Sequence, residues 1–180
     1  VKRAMKDALK QAQHADLAQQ LYVVEQSLRQ NPIAMTVLQQ LQQLPSAWMG
    51  AGIIFQNLWN LHHDFSLNTH IKDIDILYYD GNDLSYQAED KVIKQLQKSL
   101  AHLPLEIDVK NVARIHLWYE QRFGQSQTAF NSVAESVAGW PVLGACIAVR
   151  MVNDHMEFCA PHGLSDALGM QVRPNIRMQN

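Results

Sequence analysis

A short stretch near the middle of the chain alternates polar and apolar residues with a period of two. Residues 72–80 read Lys-Asp-Ile-Asp-Ile-Leu-Tyr-Tyr-Asp. Successive side chains of a β-strand point to opposite faces of the sheet. The pattern therefore predicts a strand with Asp73 and Asp75 on one face and Ile74 and Ile76 on the other.

A second stretch, residues 105–109, repeats this alternation with Glu106 and Asp108 on one face and aliphatic residues on the other. Residues 84–103, between the two stretches, have the pattern of an amphipathic helix, and Ser85 can cap it. A helical crossover of this kind usually leaves its two strands parallel, as neighbours or one strand apart. The sequence therefore predicts carboxylates from two strands on one side of a sheet.

These carboxylates indicate a chemistry as well as a fold. Carboxylates on one strand face repel each other, which would destabilise a purely structural strand. A divalent cation reverses that effect, because Mg²⁺ prefers oxygen ligands and shares them with substrate phosphates. Three or four converging carboxylates would suffice for one or two metal ions that support phosphoryl or nucleotidyl transfer. The alternative is an exposed edge strand whose charges discourage aggregation, since a D-x-D pattern also occurs by chance.

The first part of the chain is predicted to be helical. Apolar residues recur at helical spacing over residues 1–30 and again over residues 34–44, and Pro32 separates the two. We expect an N-terminal helical region over residues 1–45 and a compact unit over residues 46–180. The glutamine-rich faces of the helices suit contact with solvent, and a contact between copies of the chain is the alternative.

A glycine-containing turn precedes the first acidic stretch. Gly50 and Gly52 flank Ala51, and the residues that follow have the pattern of a helix packed on a sheet. Glycines let the backbone approach a ligand closely, and a helix N-terminus can offer N–H groups to phosphate. A tight turn that packing alone requires would explain the same residues equally well.

A polar run follows the second acidic stretch. Residues 109–119 are predicted to form a helix that begins where the strand ends, with Asn111 and Arg114 close to the proposed metals and His116 farther along. Arginine binds phosphate as a two-pronged donor. A salt bridge from Arg114 to a nearby carboxylate is the alternative, and the sequence favours neither.

The C-terminal part of the chain adds a hairpin to the predicted sheet. We expect a helix over residues 128–138, two paired strands over residues 144–151 and 155–160, and a short helix over residues 165–168. The predicted fold class is therefore α/β (α+β), with a mixed β-sheet flanked by helices.

Composition narrows the classes of function. The chain has 180 residues, of which 47% are hydrophobic and 18% charged, which favours a folded domain with a sizeable core. Its net charge of −2 gives no reason to expect a long nucleic acid or an anionic membrane as partner. No apolar run approaches the ~20 residues of a membrane helix, and the N-terminus lacks a signal-peptide pattern. Because Cys146 and Cys159 do not make a disulfide framework either, we expect a cytoplasmic protein.

The motifs also follow one another in a distinctive order. In that order they are Gly50-Ala51-Gly52, a helix with Asn57 and Trp59, Asp73-Ile74-Asp75-Ile76, residues 108–116, residues 160–166 and Val172-Arg173-Pro174-Asn175. This series resembles a bacterial family of small nucleotidyltransferase-like proteins within the polymerase-β-type nucleotidyltransferase superfamily. The resemblance covers about residues 35–175 and implies a polymerase-β-like nucleotidyltransferase core, here with an N-terminal helical extension.

The resemblance further implies a set of site residues. Asp73 and Asp75 would be the metal pair and Asp108 the third acid, so that these three are the catalytic and metal-binding residues. The glycine turn would face the triphosphate. The implied substrate-binding residues are Gly50, Gly52, Asn57, Asn111, Arg114 and His116. The implied cofactor is Mg²⁺, with Mn²⁺ as a substitute.

The function that the resemblance implies is transfer of a nucleoside monophosphate from a nucleoside triphosphate to the hydroxyl group of an unidentified acceptor. The sequence departs from the family pattern in three ways: the spacing from the glycine turn to Asp73 is longer, Gln56 stands where relatives commonly carry arginine, and His162 stands where an aromatic residue is common. Gln56 and the undescribed acceptor site favour an alternative. That alternative is a non-catalytic nucleotide-binding or protein-interaction module on the same fold. A third hypothesis places the working part in residues 1–30, as a contact that forms oligomers.

Overall fold

The structure is a computed structural model that describes residues 2–176. Its strands are β1 (Trp48–Gly50), β2 (Asp73–Tyr78), β3 (Glu106–Asn111), β4 (Ala148–Val152) and β5 (His155–Cys159). Its α-helices are α1 (Lys2–Ala12), α2 (Leu17–Arg29), α3 (Pro32–Leu41), α4 (Gly52–His62), α5 (Tyr86–Ser99), α6 (Ile115–Phe123), α7 (Val133–Ala138) and α8 (Ser165–Leu168). Over these described residues, none of the helices combines the length and the apolar character that crossing a bilayer requires.

The strands that the structure describes form one mixed sheet in the order β3-β2-β1-β4-β5. Strands β2 and β3 are parallel neighbours, whereas β1 pairs antiparallel with both β2 and β4, and β4 pairs antiparallel with β5. Helices pack against this sheet and share its hydrophobic core. The predicted mixed sheet flanked by helices is therefore confirmed.

Helix α5 is the crossover that brings the two acidic stretches together. The Ser85 side chain accepts a hydrogen bond from the Ala88 N–H and caps the helix, as the sequence predicts. After α5 the chain returns parallel to β2 and pairs directly with it as β3. The two acidic stretches are therefore adjacent in the sheet.

The N-terminal helices join the hydrophobic core on one side of the sheet, with α3 against β1 and β4 and with α1 and α2 against α4. Residues of α1, α2 and α3 belong to the same hydrophobic cluster as Ile74 and Ile76 of β2. The single helix predicted over residues 1–30 is two helices, because Asp16 accepts the Gln19 N–H and caps a new helix there. These helices therefore complete the core that supports the sheet.

The region after the second acidic stretch differs from its predicted structure. Strand β3 continues to Asn111, so the helix predicted from Val109 begins only at Ile115. The cause is local, because the Asn111 side chain accepts the Ala113 N–H and starts a 3-10 turn at the end of the strand. Helix α7 likewise forms only the C-terminal part of the helix predicted over residues 128–138.

Candidate functional site

The acidic residues of β2 and β3 lie at paired positions of two parallel strands. Asp73 pairs with Glu106, and Asp75 pairs with Asp108. Neighbouring strands lie about 4.8 Å apart, and paired residues of parallel strands project to the same face of the sheet. Formation of the sheet therefore brings carboxylates of both strands to one face, while Ile74 points into the core behind them.

Asp75 is the half-buried centre of an acidic cluster that we define as Asp73, Asp75 and Asp108. Burial raises the pKa of the Asp75 carboxyl, the Lys110 ammonium opposes that rise, and repulsion from Asp73 and Asp108 adds to it. The raised pKa means that ionising Asp75 beside two other carboxylates, partly away from water, costs free energy. A cation bound to the cluster would lower that cost.

Lys110 supplies positive charge to this cluster. It lies two residues after Asp108 on the same face of β3, and its ammonium group forms an ion pair with the Asp108 carboxylate. The same ammonium lies 3.8 Å from Asp75 Oδ1. Two members of the acidic cluster are thus already partly neutralised by a side chain of the protein.

The acidic cluster has the donor chemistry of a site for a divalent cation. Its ligands would all be carboxylate oxygens, which suits Mg²⁺ or Mn²⁺. Within residues 2–176, no three His, Cys, Asp or Glu side chains lie close enough together to hold a metal ion in this conformation. The three aspartates nevertheless supply the oxygen donors that such an ion takes, and the Lys110 ammonium lies beside two of them, where it provides positive charge.

Clefts open around the acidic cluster on the described surface. One of about 540 Å³ is lined by Asp73 and Asp108, and another of about 160 Å³ is lined by Asp73 and Gly52. A further cleft of about 260 Å³ is lined by Asp75 and by the indole of Trp140. The carboxylates therefore face space that a small ligand can enter.

The glycine turn lies directly beside the acidic cluster. A Cβ atom at Gly50 would lie 3.5 Å from Asp75 Cβ and 3.0 Å from Trp140 Cη2, so a side chain at this position would crowd both neighbours. Gly52 is the first residue of α4, and a Cβ atom there would meet nothing within 4 Å. The turn therefore places the N-terminus of a helix, with its N–H groups, next to the carboxylates.

A comparison with protein families shows which family the chain belongs to. A family model described as a nucleotidyltransferase matches residues 37–180. The chain belongs to this nucleotidyltransferase family. The match begins within α3, so most of the N-terminal helical region lies before it.

A solved structure shares the fold of this nucleotidyltransferase-family chain. It is an NMR structure whose title states that the protein "reveals a CCA-adding enzyme head domain", and it superimposes with a TM-score of 0.71. The similarity covers 88% of this chain and 81% of that chain at 24% sequence identity, which shows a common fold alone. The predicted membership of a nucleotidyltransferase family is confirmed by the family model, and the solved structure shares the mixed-sheet fold. No curated protein matches the chain.

Asn57, an implied substrate-binding residue of this family member, lies away from the acidic cluster. Its side chain is 0% exposed and accepts a hydrogen bond from Asn31 Nδ2 at 3.1 Å. Asn31 in turn caps α3. Asn57 therefore links α4 to the N-terminal helices inside the core, and the structure does not bring it to the carboxylates.

Arg114 is held by an interior ion pair. Its guanidinium pairs with the Glu89 carboxylate of α5, and its Nε donates a hydrogen bond to the Leu84 carbonyl at 2.9 Å. Of the two interpretations that the sequence left open, the geometry corresponds to the salt bridge. The partner, however, is Glu89 rather than a member of the acidic cluster.

Asn111 also has a structural role. It points to the opposite face of β3 from Asp108, and its side chain bonds to the Asp80 backbone at 3.0 and 2.8 Å. His116 lies in the first turn of α6, and its Nδ1 is buried without a hydrogen-bond partner among the described residues. The structure thus groups Gly50 and Gly52 with the three aspartates and leaves Asn57, Asn111 and Arg114 apart from them.

Sequence reasoning missed Lys110 and Trp140. Lys110 continues the alternation of Glu106 and Asp108, so a strand extended by two residues would have placed it on the acidic face. Trp140 follows α7 and reaches the glycine turn only through the fold of the C-terminal half. Local sequence carries no signal for that contact.

Proposed function

We propose that this chain transfers a nucleoside monophosphate from a nucleoside triphosphate to an acceptor hydroxyl, with Mg²⁺ or Mn²⁺ held by Asp73, Asp75 and Asp108. The acceptor oxygen would bond to the α-phosphorus, the bond from that phosphorus to the bridging oxygen would break, and pyrophosphate would leave. The acceptor proton would pass to a base. The observation that carries the proposal is the register pairing of Asp75 with Asp108 beside the glycine turn, in a member of a nucleotidyltransferase family.

The side chains and backbone of this site have distinct proposed roles. The three aspartates would hold the cation, which when bound would supply positive charge to the α-phosphate as negative charge develops there. Asp108, directly or through a water molecule, is the candidate base for the acceptor hydroxyl. The N-terminus of α4 at Gly52 would offer N–H groups to the remaining phosphates, since Gly52 lines a cleft that Asp73 also borders.

The metal assignment can be tested by calorimetry with Mg²⁺ and the α,β-methylene analogues of the ribonucleoside triphosphates. Asp73→Asn should abolish Mg²⁺-dependent binding while leaving the fold intact, because it removes one carboxylate from an exposed position of the cluster. Asp90→Asn is the matched control, since that carboxylate pairs with Lys94 on the surface of α5. Equal binding by Asp73→Asn and the parent would show that the metal assignment is wrong.

A non-catalytic nucleotide-binding module is the second candidate. It is favoured by Arg114, whose guanidinium is committed to Glu89, and by Gln56, which is uncharged and donates a hydrogen bond to Asn60 at 3.0 Å. Neither position then offers a cationic group to a triphosphate. The two candidates differ in turnover, because only catalysis releases pyrophosphate and moves a labelled α-phosphate to an acceptor.

The acceptor classes to be assayed are small-molecule hydroxyls, protein side chains and RNA ends. The net charge of −2 gives no electrostatic support for a long nucleic acid. Release of pyrophosphate with any of these classes, lost in Asp75→Asn, would support the enzyme. Nucleotide binding without pyrophosphate release across all three classes would instead favour the binding module.

The N-terminal helices are the proposed contact between copies of the chain. Leu17 and Tyr22 on α2 are 53% and 59% exposed, although other residues of the same helix are buried in the core. Light scattering of the parent and of a Leu17→Gln, Tyr22→Gln double variant would test this contact. A parent that is monomeric at high concentration would rule it out.

A further inference from the structure

Lys110 lies beside the aspartates proposed to hold the cation, although the proposed reaction gives it no role. Its ammonium group pairs with Asp108 and lies 3.8 Å from Asp75 Oδ1, so it contacts two of the three residues proposed to hold the cation. The Lys110 side chain is 27% exposed, and those of Asp75 and Asp108 are 34% and 44% exposed. This ion pair is therefore only partly screened by water.

The Lys110 side chain borders open space into which its ammonium group can move. Its register partner on β2 is Leu77, which lies in a small apolar cluster. Lys110 also lines the cleft of about 260 Å³ that Asp75, Ser136 and Trp140 border. A flexible four-carbon stem lets the ammonium leave the carboxylates without any change in the strand.

We propose that Lys110 is a resident counterion of the acidic cluster, and that it makes the site select a divalent cation carried by a nucleotide over the free cation. This inference rests on the proposed function, because it assumes that the cluster binds such a cation. Lys110 acts here as a positioning and specificity residue.

The selectivity follows from charge balance. A free cation that enters the cluster must displace the ammonium and then sits near a positive charge that has lost its partners, which weakens binding. A cation that arrives with a triphosphate brings negative oxygens, and the displaced ammonium can pair with them. The same lysine therefore disfavours the free cation and favours the cation–nucleotide complex.

Electron paramagnetic resonance of Mn²⁺ measures this preference without any turnover. The parent should bind free Mn²⁺ weakly and bind it more tightly when an α,β-methylene nucleoside triphosphate is present. Lys110→Met, which keeps the stem and removes the charge, should bind free Mn²⁺ at least about tenfold more tightly. In this variant the nucleotide should increase Mn²⁺ affinity less than it does in the parent.

Two further variants control for charge and for position. Lys110→Arg keeps the positive charge and should retain the weak binding of free Mn²⁺. Lys94→Met removes an equally charged residue from an exposed ion pair with Asp90 and should behave as the parent. If Lys110→Met does not give a native circular dichroism spectrum, Lys110→Gln replaces it, because an amide can still bond to the carboxylates.

The outcomes separate this inference from the function on which it rests. If a folded Lys110→Met or Lys110→Gln protein binds free Mn²⁺ no more tightly than the parent, while both bind the Mn²⁺–nucleotide complex, the role of Lys110 is wrong and the metal site stands. If neither protein binds Mn²⁺ with or without nucleotide, the metal site is wrong and the inference falls with it.

Discussion

The guanidinium of Arg114 is paired with the carboxylate of Glu89 in the interior of the protein, where the two side chains are 10% and 9% exposed. The other Glu89 oxygen accepts the Asn111 N–H at 2.8 Å, and Arg114 Nε donates to the Leu84 carbonyl. These bonds fasten the end of β3 to the start of α5. The ion pair therefore stabilises the crossover that positions the acidic strands.

Removing one member of this ion pair should destabilise the protein. Arg114→Met or Glu89→Gln should each lower the free energy of unfolding by about 3–5 kcal/mol, because each leaves an uncompensated polar or charged group inside the protein. Urea unfolding followed by circular dichroism measures the change. Asp90→Asn, in an exposed pair on the same helix, should change stability much less. Equal changes in the free energy of unfolding at the two sites would show that the interior ion pair stabilises the protein no more than the exposed one does.

The two glycines of the turn should respond differently to alanine. Gly50→Ala should lower the free energy of unfolding by about 1–3 kcal/mol, because its Cβ would lie 3.0 Å from Trp140 Cη2. Gly52→Ala has open space around the new Cβ and should keep or slightly raise stability. Thermal unfolding of both variants checks this order, and the reverse order would contradict it.

The Gly52→Ala variant also tests whether Gly52 contacts a ligand. If Gly52 lies against phosphates, Gly52→Ala should weaken binding of the Mg²⁺–nucleotide analogue although its fold is unharmed. Calorimetry on the folded variant gives the answer. Unchanged affinity would mean that the glycine turn serves packing alone.

His62 should make stability depend on pH. Burial lowers its pKa below 6.5, a hydrogen bond to the Leu168 carbonyl opposes this, and His63, Lys10 and Lys6 lower it further. The unfolded chain then binds a proton at His62 more readily than the folded one, so the free energy of unfolding falls as pH drops below 6.5. Above that pH the contribution is fully present.

His62→Gln isolates this effect, because glutamine can still donate to the Leu168 carbonyl but does not titrate. Urea unfolding over a series of pH values should show a shallower loss of stability on acidification in this variant than in the parent. Parallel curves for the two proteins would exclude His62 as a source of the pH dependence.

Cys146 should resist thiol reagents. Burial raises the pKa of its thiol to about 11, and the Sγ–H donates to the Val142 carbonyl at 3.3 Å. At about pH 8 nearly all of it is therefore the unreactive thiol. Cys159→Ala leaves Cys146 as the remaining cysteine of the 180-residue chain. That variant should react with a disulfide reagent only after unfolding, and rapid labelling of the native form would contradict this.

The alternation of Asp73 with Ile74 was sufficient to predict the strand and its polar face, because a period of two is a local property. Lys110 was missed because the predicted strand ended at Val109, whereas β3 ends at Asn111. The Asn111 side chain caps the 3-10 turn that follows, and the sequence pattern does not reveal that cap. The partner of Arg114 could not be chosen either. An arginine suits phosphate and carboxylate alike, and only the packing of α5 brings Glu89 to it.

The buried role of Asn57 shows a different limit. Asparagine on a helix beside a glycine turn is compatible with a substrate contact, but here α2 and Asn31, the cap of α3, cover that side of α4. The N-terminal helices lie mostly outside the region that the family model matches. A pattern drawn from the family region therefore carries no information about the residues that bury Asn57.

Asp73, Asp75 and Asp108 all belong to one segment, residues 73–111. In this segment α5 connects β2 to β3, and the two strands pair directly. Pairing of β2 with β3 is therefore enough to bring the three acid groups together, and the C-terminal hairpin contributes none of them. A cation bound by these groups would therefore stabilise the pairing of the two strands directly, since it would bind the paired strands and not the unfolded chain.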